Sequence, residues 1–521
     1  MTITPTRAAA GGLARQRTTR AGRAAARLRL GAPLVAVLAA QAALTLSLRN
    51  TAFQDEALYL YAGQRQLALW QHGAPTYDDY ASYFSGAPWF YPVLGALADR
   101  LGGLAAARAV SLLLMLGTTA LVAGLTRQLF DRNAGLLAAA AFAVTGPTLF
   151  MGNLATYDAP AVFLLALAAR IAVAAAGHPV PVLWTAAPLL VAAVAIKYAA
   201  ALWLPAVLGL AVLAAAPRGW GRAVARAVSL LLLSIALGAG VLLVAGAEFV
   251  RGLVATTTAR PEGTDSVERV LSASAEYVTP LLLLAVTGVV LAVAAAARGD
   301  RLRVALLGLL LSGSALLAPA YQAHLHTLTS LQKHAGYGLL FAAPMAGYAL
   351  ARLIGQGTRD PRRLGLALAA CLVLTSVGVR QSQTRYHDWP DAGPLVSVLR
   401  TQVRPVTGHY LVEESEVPRY YLRDLVEPYQ WTGTFFFEYT SKDGRRLTGV
   451  PAYRAALDER YFDVVALRYG PTAALDVQID EVLRKGQGYE QIAQVPADSS
   501  YGRGAYTIWR ATPDSQATRS R

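Results

Sequence analysis

Long apolar stretches recur along the first three quarters of the chain, separated by short polar breaks. Crossing the hydrocarbon layer takes about 20 apolar residues, so this pattern predicts a polytopic helical membrane protein. The stretches lie at 31–48, 104–126, 134–151, 159–176, 182–196, 199–216, 224–249, 278–297, 304–320, 335–353 and 364–379, about eleven spans in all. The region 182–216 reads either as one kinked span or as two short ones meeting near Lys197 and Tyr198. Arg170 and Arg218 flank it, and matching basic ends favour two spans. From about residue 385 the apolar runs shorten. Strand-like pieces appear in GHYLVEE, FDVVALRYG, YEQIAQV and YTIWRA, and helix-like pieces in PLVSVLRTQV, VPAYRAALDERY and ALDVQIDEVLRK. This predicts three parts: an arm at 1–30, a membrane domain at 31–384, and a small α/β domain at 385–521.

Charge sets the expected orientation. The chain has 521 residues, of which only 15% are charged, yet its net charge is +15. A basic balance invites a nucleic-acid reading, but the placement of the arginines argues against it. Arg7, Arg15, Arg17, Arg20, Arg23, Arg27 and Arg29 fill the arm, and others recur in short turns: Arg127 and Arg132; Arg218, Arg222 and Arg226; Arg298, Arg301 and Arg303; Arg352, Arg359, Arg362 and Arg363. That is the pattern of cytoplasmic loops. The arm is followed by an apolar run without a small-residue cleavage site, so it reads as a cytoplasmic arm rather than a signal peptide. An odd number of spans then places the C-terminal domain outside. The outer face receives 49–103, 152–158, 250–277, 321–334 and everything after about 380. The Ala/Arg/Gly bias suggests a bacterial cytoplasmic membrane. The single cysteine, Cys371, rules out an intrachain disulfide.

The chemistry-bearing residues gather on that outer face. Asp55 and Glu56, in FQDEALYLYAG, follow the first span, and ionisable groups at a membrane mouth usually carry function. Acids in a first helical turn also complement the helix dipole, which keeps a purely structural reading open. Asp158, in TYDAP, opens a later span and is either a second functional acid or a helix cap ahead of Pro160. Asp78 and Asp79 read as solvated loop acids. Lys197 interrupts an apolar stretch and either snorkels to the interface or receives a phosphate. Arg260 sits in an outer loop between Arg251 and Arg269 and is a candidate for a charged headgroup. His324, His326, Lys333, His334 and Tyr337 cluster in AHLHTLTSLQKHAGYGLL. Two histidines two residues apart do not share a helix face, so this reads as a cationic rim, and no metal site is expected. In the first outer loop, LYLYAGQRQLALWQ reads as an interfacial amphipathic helix, and PTYDDYASYFSGAPWFYP supplies aromatic rings at headgroup level.

FQDEALYLYAG, TYDAPAVFLLALA, AIKYAAALWLP and LQKHAGYGLLFAAPMAGY together resemble the GT-C superfold of polyprenyl-phosphate-sugar-dependent glycosyltransferases. The resemblance is to the branch of the bacterial protein O-mannosyltransferases and the lipid A aminoarabinose transferase, over residues 31–380. It implies an inverting transfer of a sugar from a polyprenyl monophosphate to an acceptor hydroxyl. In that scheme Asp55 is the general base, Glu56 orients the acceptor or assists, and Asp158 is the second acid, holding acceptor or donor hydroxyls. Lys197 pairs with the phosphate, with Arg260, Lys333, His334 and Tyr337 near the donor. The expected partners are the lipid-linked sugar, membrane lipids and an envelope acceptor, with no nucleic acid and no required cofactor. Mannose is the sugar the resemblance favours. Two other classes stay open: a lipid-linked sugar flippase, and a non-catalytic scaffold of envelope assembly.

Overall fold

The structure, a computed structural model, describes residues 20–355, 360–485 and 488–512. Arg7, Arg15, Arg17 and Arg359 of the basic segments lie outside the described residues. The protein is a multi-pass membrane protein. Eight helices among the described residues are long and apolar enough to cross a bilayer: Tyr91–Leu129, Asp158–Gly177, Tyr198–Arg218, Trp220–Thr256, Val267–Ala295, Arg298–His324, Leu331–Ile354 and Pro361–Tyr386. Two shorter apolar helices, Gly31–Leu46 and Val180–Ile196, occupy two further predicted stretches.

Three expected segments differ from the sequence reading. The stretch 134–151 is not straight: helices Arg132–Ala143 and Gly146–Gly152 meet at 70°. The bend falls at Thr145–Gly146–Pro147, where the proline has no N–H to continue the first helix and instead starts the second. The first outer segment holds the expected helix, Gln54–His72, but a second helix begins at Tyr91 and runs on to Leu129. Its only break is at Gly102 and Gly103, where Gly103 has φ 65°. The outer loop expected at 250–277 shrinks to about 257–266, because the flanking helices extend to Thr256 and start again at Val267. Apolar periodicity fades at the ends of such helices while the backbone hydrogen bonding continues.

Helix Leu331–Ile354 forms the centre of the membrane domain and is buried over nearly its whole length. Its sequence, rich in Gly and Ala, lets neighbouring backbones approach closely, which replaces the absent hydrophobic drive for helix association in lipid. Gly347 lies against the backbone of Ala134 and Ala138, where any Cβ would collide. Helix Trp220–Thr256 is peripheral and exposes Leu232, Ile235, Leu243 and Val244, the apolar exterior expected where the solvent is lipid.

The C-terminal domain carries a five-stranded sheet ordered β2-β1-β5-β7-β6 and a separate β3-β4 hairpin. The strands are β1 (Tyr410–Val412), β2 (Trp431–Thr432), β3 (Glu438–Thr440), β4 (Arg446–Thr448), β5 (Val464–Leu467), β6 (Tyr489–Pro496) and β7 (Ala505–Ala511). β1 runs parallel to β2 and β5, while β7 is antiparallel to β5 and β6. Helix Glu416–Tyr421 docks this domain on the first outer segment. Arg419 pairs with Asp78 at 2.5 Å and lies over the Tyr61 ring, and Arg423 pairs with the buried Asp99 at 2.9 Å. Asp78 stays partly exposed in its loop, as the sequence suggested, and its carboxylate also pairs with a residue from a distant part of the chain.

Candidate active site

Helix Gln54–His72 starts at Phe53, and its first turn carries Asp55 and Glu56. Consecutive residues on a helix point about 100° apart, so the two acids face different surroundings. Glu56 turns inward and is fully buried. Its Oε2 accepts the N–H of Phe53 at 2.9 Å, closing the first turn, and its Oε1 accepts the N–H of Ala155 at 2.7 Å. Arg108 grips both oxygens, with Nε to Oε1 at 2.8 Å and Nη2 to Oε2 at 2.7 Å. All of these partners belong to the protein itself, and Glu56 does not line the cavity described next.

Asp55 turns outward into a cavity of about 1000 Å³ between the membrane helices and the C-terminal domain. Lys197, Arg260, His324, Lys333 and His334 also line it. Lys333 Nζ donates to Asp55 Oδ2 at 2.8 Å and lies 3.7 Å from Asp158 Oδ2, so one buried ammonium bridges two carboxylates. Asp55 Oδ1 makes no hydrogen bond to any described residue. Asp158, one residue inside its helix, does not cap it. Its carboxylate instead accepts from Thr156 Oγ1 at 3.1 Å and from the Tyr337 hydroxyl at 3.3 Å. Asp158 and Tyr337 are buried directly behind Lys333 and do not line the cavity. Tyr337 in turn stacks on Trp203 at 4.9 Å.

Lys197 stands where helix Ala186–Ile196 stops, in extended backbone with φ −143° and ψ 110°. The loop Ser85–Gly86–Ala87 crosses this break. Ala87 N donates to Ala195 O at 2.8 Å, and Tyr198 N donates to Ser85 O at 3.0 Å, so the groups freed by the break are satisfied. Gly86 permits the approach, because a Cβ there would run into the Ile196 carbonyl. Lys197 Nζ donates to Ser85 Oγ at 2.6 Å, and the ammonium is nearly buried with no carboxylate of a described residue at ion-pair distance. A buried cation so partnered keeps the capacity to pair with an anion. Arg260 makes no ion pair or hydrogen bond among the described residues. Gln332 is buried on the cavity wall with neither amide atom partnered by a described residue, and His334 Nε2 is likewise unpartnered among them, while its Nδ1 contacts Gln322 at 2.9 Å. His326 faces the Asp265 carbonyl instead of the cavity. Among the described residues no group of three or more His, Cys, Asp or Glu side chains is placed to hold a metal ion.

Other lining residues were not singled out in the sequence. Ser85 is an ordinary polar position of the aromatic loop. Arg385 and Asp388, an ion pair, come from the end of the last membrane helix. Glu414, Arg468, Pro471 and Tyr501 come from the C-terminal domain. The sequence signal for Glu414 and Arg468 is their position near the C-terminal ends of the strand-like pieces GHYLVEE and FDVVALRYG, just beyond β1 and β5, where open α/β sheets place functional loops.

Residues 86–243 match the family model for dolichyl-phosphate-mannose-protein mannosyltransferase. A comparison with curated protein sequences gives no match. Among solved structures, the chain is similar to ArnT from Cupriavidus metallidurans bound to undecaprenyl phosphate, with a TM-score of 0.56 and 16% identity, over 92% of this chain and 98% of that one. It is also similar to the archaeal oligosaccharyltransferase AglB from Archaeoglobus fulgidus in complex with an inhibitory peptide and a dolichol-phosphate, with a TM-score of 0.53 and 14% identity, over 91% and 74% of the two chains. The matched family and these neighbours are glycosyltransferases, and the present chain is a multi-pass membrane protein with their GT-C fold.

Proposed function

We propose that the protein is an inverting glycosyltransferase that moves a sugar from a polyprenyl phosphate to an acceptor hydroxyl at the outer face of the cytoplasmic membrane. One observation carries the reading: among the described residues, a single cavity holds a carboxylate with an open oxygen, Asp55 Oδ1, together with a buried cation, Lys197, whose one partner is a neutral serine. Lys333 fixes Asp55 through Oδ2, which leaves Oδ1 to take the acceptor proton. The acceptor oxygen bonds to the anomeric carbon as the bond from that carbon to the phosphate oxygen breaks. The electron pair leaves on the phosphate, where Lys197 and Arg260 receive the added charge. Fixed charges in a partly dry site stabilise such a leaving group without reorganisation. Asp158 and Tyr337 hold Lys333 from behind, and Glu56 positions the first turn. In this reading the cations meet the phosphate charge, so no resident cofactor is required.

The same cavity supports an orientation for this reading. Asp55, Lys197, Arg260 and Lys333 share it with the C-terminal domain, while the arginine-rich turns at 127–132, 218–226 and 298–303 belong to the other helix ends. With those turns in the cytoplasm, the cavity and the C-terminal domain face outward. The acceptor is an envelope component, and no nucleic acid takes part. The test is transfer in vitro from an undecaprenyl-phosphate sugar, wild type against Asp55→Asn. Transfer that depends on Asp55 supports the reading. Movement of the lipid across vesicles without a new glycosidic bond would replace it with a flippase.

A further inference from the structure

The C-terminal domain contributes one charged pair to the cavity, and the backbone around that pair is unusually constrained. β1 and β5 run parallel in register, with Val412 beside Ala466, so the chain leaves both strands side by side at the cavity mouth. There Glu414 Oε2 accepts from Arg468 Nε at 2.9 Å and from Arg468 Nη2 at 2.5 Å. Glu414 Oε1 and Arg468 Nη1 make no hydrogen bond to any described residue, and both side chains line the cavity.

The loop that carries Arg468 has every backbone N–H caught by a buried carboxyl. Glu413 accepts from Arg468 N at 3.0 Å, Gly470 N at 3.0 Å and Thr472 N at 3.1 Å; Asp476 accepts from Tyr469 N at 3.1 Å; Pro471 has none to give. Glu414 and Tyr469 both occupy the left-handed region, with φ of 56° and 57°. Burying two acids and holding two bulky residues in that region is unfavourable for folding alone, and such strain collects where geometry serves a ligand.

From this geometry we infer that Glu414 and Arg468 form the acceptor subsite, and that the acceptor is a saccharide read through neighbouring hydroxyls. The assignment rests on the glycosyl-transfer reading above. An open carboxylate oxygen next to an open guanidinium N–H matches a vicinal diol, which accepts from one group and donates to the other. Exposed Tyr501 on the same wall offers an apolar ring face of the kind sugars stack against. The cavity wall presents side chains rather than an unpaired strand edge, which is what an extended peptide would need.

The test uses the full-length protein with undecaprenyl-phosphate mannose as donor and two acceptor probes, an alkyl mannoside and a Ser/Thr peptide. Glu414→Gln and Arg468→Gln are expected to raise the KM for the mannoside at least tenfold, while affinity for undecaprenyl phosphate stays within twofold of wild type. The unchanged lipid affinity also shows that the variants are folded. Wild-type transfer with mannoside KM unchanged in both variants overturns the assignment, as does transfer to the peptide but not to the mannoside. A wild type that neither binds the lipid nor transfers the sugar overturns the glycosyl-transfer reading, and this subsite with it.

Discussion

Glu56 accepts the backbone N–H of Ala155 at 2.7 Å. This one bond ties the start of the helix that carries Asp55 to the loop that ends at Asp158. Arg108 completes the tie by gripping Glu56 and donating to the Asn50 carbonyl at 2.9 Å. The spacing of the two acids is thus fixed from behind, by a third acid that the cavity never sees.

Breaking that tie leaves a buried charge alone. Glu56→Ala or Arg108→Ala is expected to lose about 3–5 kcal/mol of stability, the usual penalty for removing one partner of a buried ion pair. The measurement is the unfolding temperature of purified protein in detergent. A variant as stable as wild type would show that the ion pair is dispensable.

Asp55→Asn keeps the shape of the side chain and removes its basicity. Transfer should fall by ~10²–10⁴-fold, the range for loss of a positioned general base. The unfolding temperature should hold, because Lys333 retains Asp158 at 3.7 Å. Turnover within a few-fold of wild type would remove Asp55 from the chemistry.

Lys197→Met exchanges the cation for an apolar side chain of similar length. Binding of undecaprenyl phosphate should weaken about tenfold or more, as expected for the loss of a charge-assisted hydrogen bond. Equal affinities in a direct binding titration would move the phosphate elsewhere in the cavity.

Chelation gives a separate readout. If Lys197 and Arg260 supply the positive charge, transfer should be insensitive to EDTA. A loss on chelation that is restored by a divalent cation would require a metal at the phosphate.

The carboxyl of Asp476 is pushed from 3.8 up to about 8, first by burial and then by the neighbouring carboxyl of Glu413. Between about pH 4 and pH 8 the folded protein keeps a proton that the unfolded chain has released. Its stabilising contribution is complete below the lower value and is lost as pH rises through the upper one. The unfolding temperature of wild type should therefore fall across this window, and Asp476→Asn should flatten the fall. Parallel pH profiles for the two proteins would assign the slope to other groups.

Local pattern carried much of the fold. The four strand-like pieces and three helix-like pieces after residue 385 correspond to β1, β5, β6 and β7 and to helices Gly393–Gln402, Val450–Asp458 and Ala473–Lys485, because their alternation or amphipathic period is strong. The short β2 and the β3-β4 hairpin left no such trace. In the membrane domain most helices are apolar all round, so periodicity does not reveal which face packs inward. Asp55, Asp158 and Lys333 could each be singled out as charges out of place. Their meeting could not, because Lys333 and Asp55 are 278 positions apart. Ser85 and Arg468 were hidden for a related reason: in sequence a serine in a loop and an arginine after a strand are ordinary, and only the tertiary approach gives them partners.

The fit of Gly86 against the helix break has a genetic consequence. Even alanine at that position would push the loop off the Ile196 carbonyl, and Ser85 with it, away from Lys197. The cation can therefore be disarmed from two codons more than a hundred positions apart, one that encodes the lysine and one that encodes no side chain at all. A screen for loss of function should recover both, and a suppressor of the glycine allele should map to the residues around 195–198.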